Sequence, residues 1–437
     1  MLSCPEASGL IRETYSVYRQ AIETGIADND IPEEMARKLD HNAFMFSGFK
    51  VHHELSEVGL SLRDKETGKV KAYETFAHDV RKIHSAYNEN YLRSEYQFAI
   101  TSSQMAARWA DVEQGKGRYD LQYRTAGDDR VREEHAAMNG ITLPADDPFW
   151  REYYPPNGWR CRCTTVEVNK GKYPVSDSKE AQRIGQRSTT QLDRFGNNKA
   201  AIFRFNPGLE EKVFPPKHPY LPKGCGDCTK GVRGLAYDKN SEKCRACDGV
   251  EKVWKEEKTL ILNKKLQAIN EAKGGELVQT LRDIVSMRDF KKVEGHSGIR
   301  SAIDSKSPDY NNLLSTADKA VRHGYNVAIL PNPKDIRTPD LILYNGKFIA
   351  SYDVKTISGK NSVGNRLIES IGQTKRVILN MTTNYNPRSL AKDIKGYFEA
   401  NKEAAEVMIL KGGSCIKVTR KQINKTFEQV FMKMYKK

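Results

Sequence analysis

The stretch PDLILYNGKFIASYDVKT, Pro339 to Thr356, constrains its surroundings more than any other part of this chain. Two runs rich in apolar, β-branched and aromatic residues flank an Asn345-Gly346 dipeptide, the usual chemistry of a tight β-hairpin turn. Side chains on a strand alternate between faces, so Asp353 and Lys355 are expected on the same face. A hairpin also brings the start of one strand beside the end of the other, which places Asp340 near that pair. Two carboxylates and one ammonium then converge. Carboxylate oxygens can hold a divalent cation such as Mg2+ or Zn2+, and such an ion polarises a phosphate and helps generate hydroxide. The lysine can orient or activate the water and stabilise developing charge. The plain alternative is a solvated hairpin whose charges face water.

The sequence around the hairpin alternates helix and strand over residues 293–437. NNLLSTADKAVRHG reads as a helix ending at Gly324 and YNVAILP as a strand. After the hairpin come a helix in VGNRLIESIGQ, the strand RVILNMT, the helix SLAKDIKGYFEANKEA and the strands AEVMILKG and SCIKVTR. That order predicts a C-terminal α/β domain. Gln373, Lys375 and Arg376 follow the later helix and are candidates to line a cleft and meet nucleic acid.

Residues 40–112 carry apolar and aromatic residues at helical spacing, interrupted near Thr67-Gly68 by a short hairpin. Residues 171–250 are expected to be β-rich, with AIFRFN as one strand, and the Lys/Glu-rich residues 251–292 to form a helical linker. The expected domains are therefore 1–170, 171–250, a linker at 251–292, and 293–437. No run of apolar residues is long enough to span a membrane, so no membrane partner is expected. The first residues lack a basic region followed by an apolar core, so no secretory leader is expected.

Charge is unevenly distributed. Residues 1–150 sum to −7, 151–250 to +8 and 251–437 to +14, within a total of +15. A basic domain is drawn to phosphates by a salt-sensitive term, so the C-terminal domain is expected to contact nucleic acid.

The cysteines are clustered. Cys225-x2-Cys228-x15-Cys244-x2-Cys247 has the spacing of a structural zinc site, in which four thiolates close the coordination sphere. A redox pair and free thiols are the alternatives. Upstream, His135, Cys161 and Cys163 offer three further soft ligands for zinc, with an Asp as a fourth; a packed loop with buried thiols is the alternative.

Two resemblances sharpen these expectations. Asp340, twelve residues, then Asp353-Val354-Lys355 resembles the PD-(D/E)xK nuclease pattern. Together with GYNVAILP before it, the hairpin resembles the C-terminal tRNA nuclease domain of CdiA-type contact-dependent inhibition toxins. The resemblance implies metal-binding acids at Asp340 and Asp353, a catalytic lysine at Lys355, a further acid from the preceding helix for which Asp318 is the candidate with Glu294 behind it, tRNA as substrate and a small immunity protein as partner. The stretch YRTAGDDRVREEHAAMNGITLPADDPFWREYYPPNGWRCRC, with its helical lead-in, resembles the phage Mu protein F family of minor head, or head-morphogenesis, proteins over residues 40–168. The matching residues are Asp128 or Asp129, Arg130, Val131, Arg132, His135, Gly140, the DPFW at 147–150 and the PPNGWRCRC at 155–163. Glu133 departs from the pattern, where Pro is expected. This resemblance implies capsid or portal partners, a place in the virion head, and bacterial cytoplasm during assembly and after delivery.

The fold class expected is thus multidomain α+β: a helical and irregular head domain, a small four-Cys zinc module and a C-terminal α/β PD-(D/E)xK-like nuclease domain. Two other readings remain open. The basic C-terminal domain could bind packaged DNA without cutting it. It could also be a metal-independent, barnase-like ribonuclease relying on groups such as His296 and His323.

Overall fold

The computed structural model describes residues 5–27, 31–115, 117–221, 245–287, 289–303, 305–346, 348–359, 363–372 and 374–435. The chain divides into two compact units, Met1–Glu257 and Lys258–Lys437. Among the described residues no helix is long and apolar enough to cross a membrane.

The first unit is built on helices α1 (Pro5–Ile26), α2 (Glu33–Ser61), α3 (Tyr73–Ser85) and α4 (Leu92–Gln114), with a π-helical turn at Ala86–Tyr91 before α4. α1 lies outside the expected helical region, yet Ile11, Tyr15, Tyr18 and Ile22 recur at helical spacing and are all buried. Tyr18, Ile22, Leu39, Phe46, Phe98 and Ala106 share one core with Phe203, Phe205 and Phe214. At its centre Lys50 and Glu95 form a buried ion pair, and the Tyr18 hydroxyl donates to Glu95 Oε2 at 2.5 Å. Cys247 is buried in a neighbouring core with Ile11, Tyr15 and Phe44. Cys225, Cys228 and Cys244 lie outside the described residues.

After α4 comes a three-stranded antiparallel sheet of order β2 (Thr142–Pro144), β1 (Tyr119–Arg124), β3 (Thr164–Asn169). Between β1 and β3 lie the short helices α5 (Glu133–Ala136) and α6 (Phe149–Glu152), and α7 (Ser178–Ser188) follows. AIFRFN, read as a strand from its alternation, is instead a 3-10 turn over Lys199–Phe203 followed by irregular chain. The cause is local: the Asn198 side chain accepts from Ala200 N and starts the turn, and Phe203 and Phe205 both enter the helical core. Among the described residues 171–221, pairing is limited to an isolated bridge between Leu192 and Asn198, short of the β-rich segment expected there.

The second unit holds an eight-stranded mixed sheet. Helix α8 (Arg245–Glu271) ends in this unit, followed by α9 (Gly274–Val285), β4 (Lys291–Lys292), β5 (Ile299–Ser301), α10 (Tyr310–Arg322), β6 (Asn326–Ile329), β7 (Leu341–Asn345), β8 (Phe348–Ile357), α11 (Val363–Glu369), β9 (Arg376–Met381), α12 (Pro387–Ala400), β10 (Glu406–Lys411), β11 (Ser414–Thr419) and α13 (Phe427–Tyr435). The strands lie in the order β11-β10-β9-β8-β7-β6-β5-β4. One face packs on α10 through Leu313, Ala317, Val327, Leu343 and Tyr352. The opposite face carries two groups of helices. Leu266, Ile269, Leu281 and Ile284 of α8 and α9 cover Ala328, Leu330 and Ile342. Residues of α11, α12 and α13 cover Val377, Leu379, Val407 and Ile409. The linker expected at 251–292 is helical only as far as Val285, its last two residues form β4, and its apolar stripe is part of this unit's core.

Candidate functional sites

The hairpin register sets the first site. Asn345 faces Phe348 and Leu341 faces Tyr352, so Asn345 is the last paired residue of its strand and the turn starts at Gly346, one position later than the Asn-Gly reading. Gly346 takes φ +44°, a conformation glycine adopts without a Cβ penalty. This register matters for the chemistry. Asp340 and Asp353 are the next residues beyond the Leu341–Tyr352 pair, so the two carboxylates arrive at one end of the hairpin. Asp353 and Lys355 pair in parallel with Val377 and Leu379, which places them on the face shared by α11 to α13.

The side chains converge as the alternation requires. Lys355 Nζ lies 3.0 Å from Asp353 Oδ2, and Val354 N donates to Asp340 Oδ2 at 2.7 Å. Burial pushes the Asp340 carboxyl up to about 7, with the Asp353 charge adding to the effect. Burial also raises Asp353, and Lys355 opposes that rise. A buried Asp353 beside a half-buried Asp340, with one ammonium at Asp353, form a site short of positive charge, which is the chemistry a divalent cation satisfies.

All three residues line a cavity of about 1090 Å³. Asp309 and Asn312, at the start of α10, line it too, as do Lys334, Arg337 and Arg366. Sequence reasoning missed Asp309 because it began the helix at Asn311, whereas Asp309 occupies the N-cap position; Asn312 was placed on the helix but not singled out. Asp318 sits farther along α10, with Oδ1 2.7 Å from His296 Nδ1, and is not among the cavity-lining residues. Lys375 pairs with Glu403 at 3.5 Å and Arg376 opens β9 beside Glu406 of β10; neither lines the cavity. Gln373 lies outside the described residues.

The second site is in the first unit. His135 on α5 and the Cys161-Arg162-Cys163 segment before β3 bring three buried ligand atoms together, all within 4.8 Å of one another. His135 Nδ1 lies 3.6 Å from Cys161 Sγ and 3.8 Å from Cys163 Sγ. Tetrahedral zinc, with bonds of about 2.0–2.3 Å, sets such atoms roughly 3.6–3.8 Å apart. The donor set and its spacing thus fit a zinc-class ion. The local fold explains the motif. Arg132 donates to the Trp159 carbonyl at 2.6 Å, and the buried Asn157 accepts from Tyr123 at 3.0 Å. A Cβ on Gly158 would lie 3.0 Å from Arg132 Nη1 and 3.8 Å from His135 Cε1, so glycine lets both side chains close over the loop. Asp128, expected as a motif residue, holds Arg162 through two hydrogen bonds of 2.7 and 2.6 Å.

This second site falls within a segment that known proteins share. The profile of the family described as "Phage Mu protein F like protein" matches residues 66–166. "Putative capsid assembly protein F" of Escherichia phage Mu is 37% identical over 84 residues, 19% of this chain and 17% of that protein. "Mu-like prophage FluMu F protein" of Haemophilus influenzae is 48% identical over 48 residues, 11% of this chain and 12% of that protein. The chain thus matches less than a fifth of the length of either relative. Among solved structures, the "CdiA-CT/CdiI toxin and immunity complex from Burkholderia pseudomallei" aligns at 17% identity and a TM-score of 0.21, over 27% of this chain and 92% of that one. That score is too low to establish a common fold.

Proposed function

We propose that this chain, which carries a Phage Mu F-like domain at residues 66–166, is a phage or prophage head-morphogenesis protein with a metal-dependent nuclease in its C-terminal unit. The similarity to the Mu F proteins supports the first half. It makes capsid or portal proteins the partners and the virion head the site of action. His135, Cys161 and Cys163 bind a zinc-class ion in this domain, and Cys225, Cys228, Cys244 and Cys247 bind a structural zinc.

One observation carries the nuclease half: Asp340, Asp353 and Lys355 converge on a single cavity. Asp340 and Asp353 are the acids that hold a divalent cation such as Mg2+, which supplies polarisation of the scissile phosphate. Lys355 stands where it can position the attacking water and offset developing negative charge. Lys334, Arg337 and Arg366 bring positive charge to the same cavity, as a polyanionic substrate requires. The substrate is RNA, with tRNA favoured by the resemblance to CdiA-type toxins, and a small immunity protein would be the inhibitor.

The test is to express the full chain and its Asp353→Ala variant in bacteria and sequence RNA ends. New ends at defined tRNA positions, absent with the variant, support this reading. Identical ends in both cultures count against it. The head assignment is tested by mass spectrometry of purified virions, which should contain the chain.

A further inference from the structure

The triad of the first unit forms part of the lining of a second cavity, of about 730 Å³. Arg93, Arg130, Arg132, Arg160 and Arg162 line it together with His135, Cys161 and Cys163. All five arginines are exposed, whereas the three ligand residues are buried. Asp128 offsets Arg162 and, at 3.3 Å, Arg130. Among the described residues Arg93 and Arg160 make no salt bridge. Arg160 stands at φ +59°, in the left-handed region that non-glycine residues seldom adopt, between Trp159 and the cysteine pair. In a region whose overall balance is acidic, this is a local concentration of positive charge.

Resting on the reading that the triad holds a zinc-class ion, we infer that one coordination position of that ion opens into this cavity, and that the ion and the arginines together bind a phosphate group. Three protein ligands leave a tetrahedral ion one position for an outside donor. Two thiolates and a neutral imidazole leave the ion with no net charge, so the attraction for an anion comes from the arginines. Five guanidinium groups against one carboxylate exceed what a single carboxylate ligand would need. A phosphate carries enough charge and enough oxygens to reach the metal and two guanidinium forks at once. The phosphate can be free or at a nucleic-acid end, and the two sources share this chemistry.

The experiment uses the full chain loaded with Co2+. The Cys161→Ser/Cys163→Ser variant provides the reference, so that metal at Cys225, Cys228, Cys244 and Cys247 cancels in the difference spectrum. Should that variant not fold, His135→Asn serves instead. The unaltered chain should carry about one metal more than the reference, given one site of this donor set. Equal metal content overturns the zinc reading on which the inference rests. With the extra metal present, inorganic phosphate should shift the visible difference spectrum saturably, and equimolar acetate should not. Arg93→Ala/Arg160→Ala should retain the metal and weaken phosphate binding by about tenfold or more, since two charge-assisted contacts are lost. A metal-bound spectrum that phosphate does not move, an equal response to acetate, or unchanged affinity in the arginine variant overturns the inference while leaving the zinc reading intact. A 5′-phosphorylated oligonucleotide run in parallel assigns the source: tighter binding than inorganic phosphate points to nucleic-acid ends, equal binding to free phosphate, and either supports the proposal.

Discussion

Lys355 Nζ lies 3.0 Å from Asp353 Oδ2, on a strand whose intervening residue, Val354, donates its N–H to Asp340. One lysine therefore serves a buried and a half-buried acid. Its removal should act on chemistry more than on folding. Lys355→Met should lower cleavage by about a hundredfold or more, the range expected for a positioned acid–base or charge-stabilising group. Circular dichroism and metal titration should show the fold and the metal site retained. Unchanged cleavage would remove Lys355 from the reaction.

The raised Asp340 carboxyl makes metal binding sensitive to pH. Its value near 7 means that the metal-free site holds a proton below neutrality, and the cation must displace it. Calorimetric titration with Mg2+ or Mn2+ should show affinity falling as pH drops from about 8 to 6, by up to roughly tenfold per pH unit. Flat affinity over that range would place the proton elsewhere.

The same group sets a stability slope in EDTA. Because its folded value lies above the ordinary carboxylate value of 3.8, Asp340 favours the fold below that value, and this contribution is lost as pH rises through 7. Asp340→Asn should therefore flatten the pH dependence of urea midpoints between about pH 4 and 7 and stabilise the metal-free protein at the upper end. A variant with the parent's slope would contradict this.

In the first unit, Lys50 and Glu95 are a buried ion pair, and burial lowers the Lys50 pKa. Lys50→Met should destabilise that unit by about 3–5 kcal/mol, because it leaves Glu95 buried without its cation. Adding Glu95→Leu should recover much of the loss. Denaturation of the single and double variants checks the pair.

Gly208 tests the packing beneath the Mu F-like domain. A Cβ there would lie 2.2 Å from the Trp109 Cβ, and Trp109 is buried in the core that also holds Cys161 and Cys163. Gly208→Ala should cost roughly 1–3 kcal/mol, seen as a lowered urea midpoint.

Much of this was legible where local rules act alone. The hairpin, α10, β9 and the strands after it follow from alternation, turn chemistry and helical spacing, and the convergence of Asp353 with Lys355 needs only the period of two. The turn position was harder, because Asn345-Gly346 suits a turn by itself while the observed register is fixed by both strands burying the same face. Asp318 looked suited to the site on sequence grounds, but α10 turns it toward His296 and presents Asp309 and Asn312 to the cavity instead. AIFRFN misled because a capped 3-10 turn can deliver two aromatics to one core as a strand would. The five-arginine cavity was invisible, since Arg93 comes from α4 and the others from loops far along the chain.

The central claim is that Asp340 and Asp353 hold the metal of a nuclease. The most direct measurement is RNA cleavage by the purified full chain, with and without EDTA, alongside Asp353→Ala. The account predicts cleavage that requires a divalent metal and disappears in the variant while its circular dichroism is unchanged. Cleavage that persists in EDTA or in Asp353→Ala, or binding of RNA with no cleavage under any divalent metal, would contradict it.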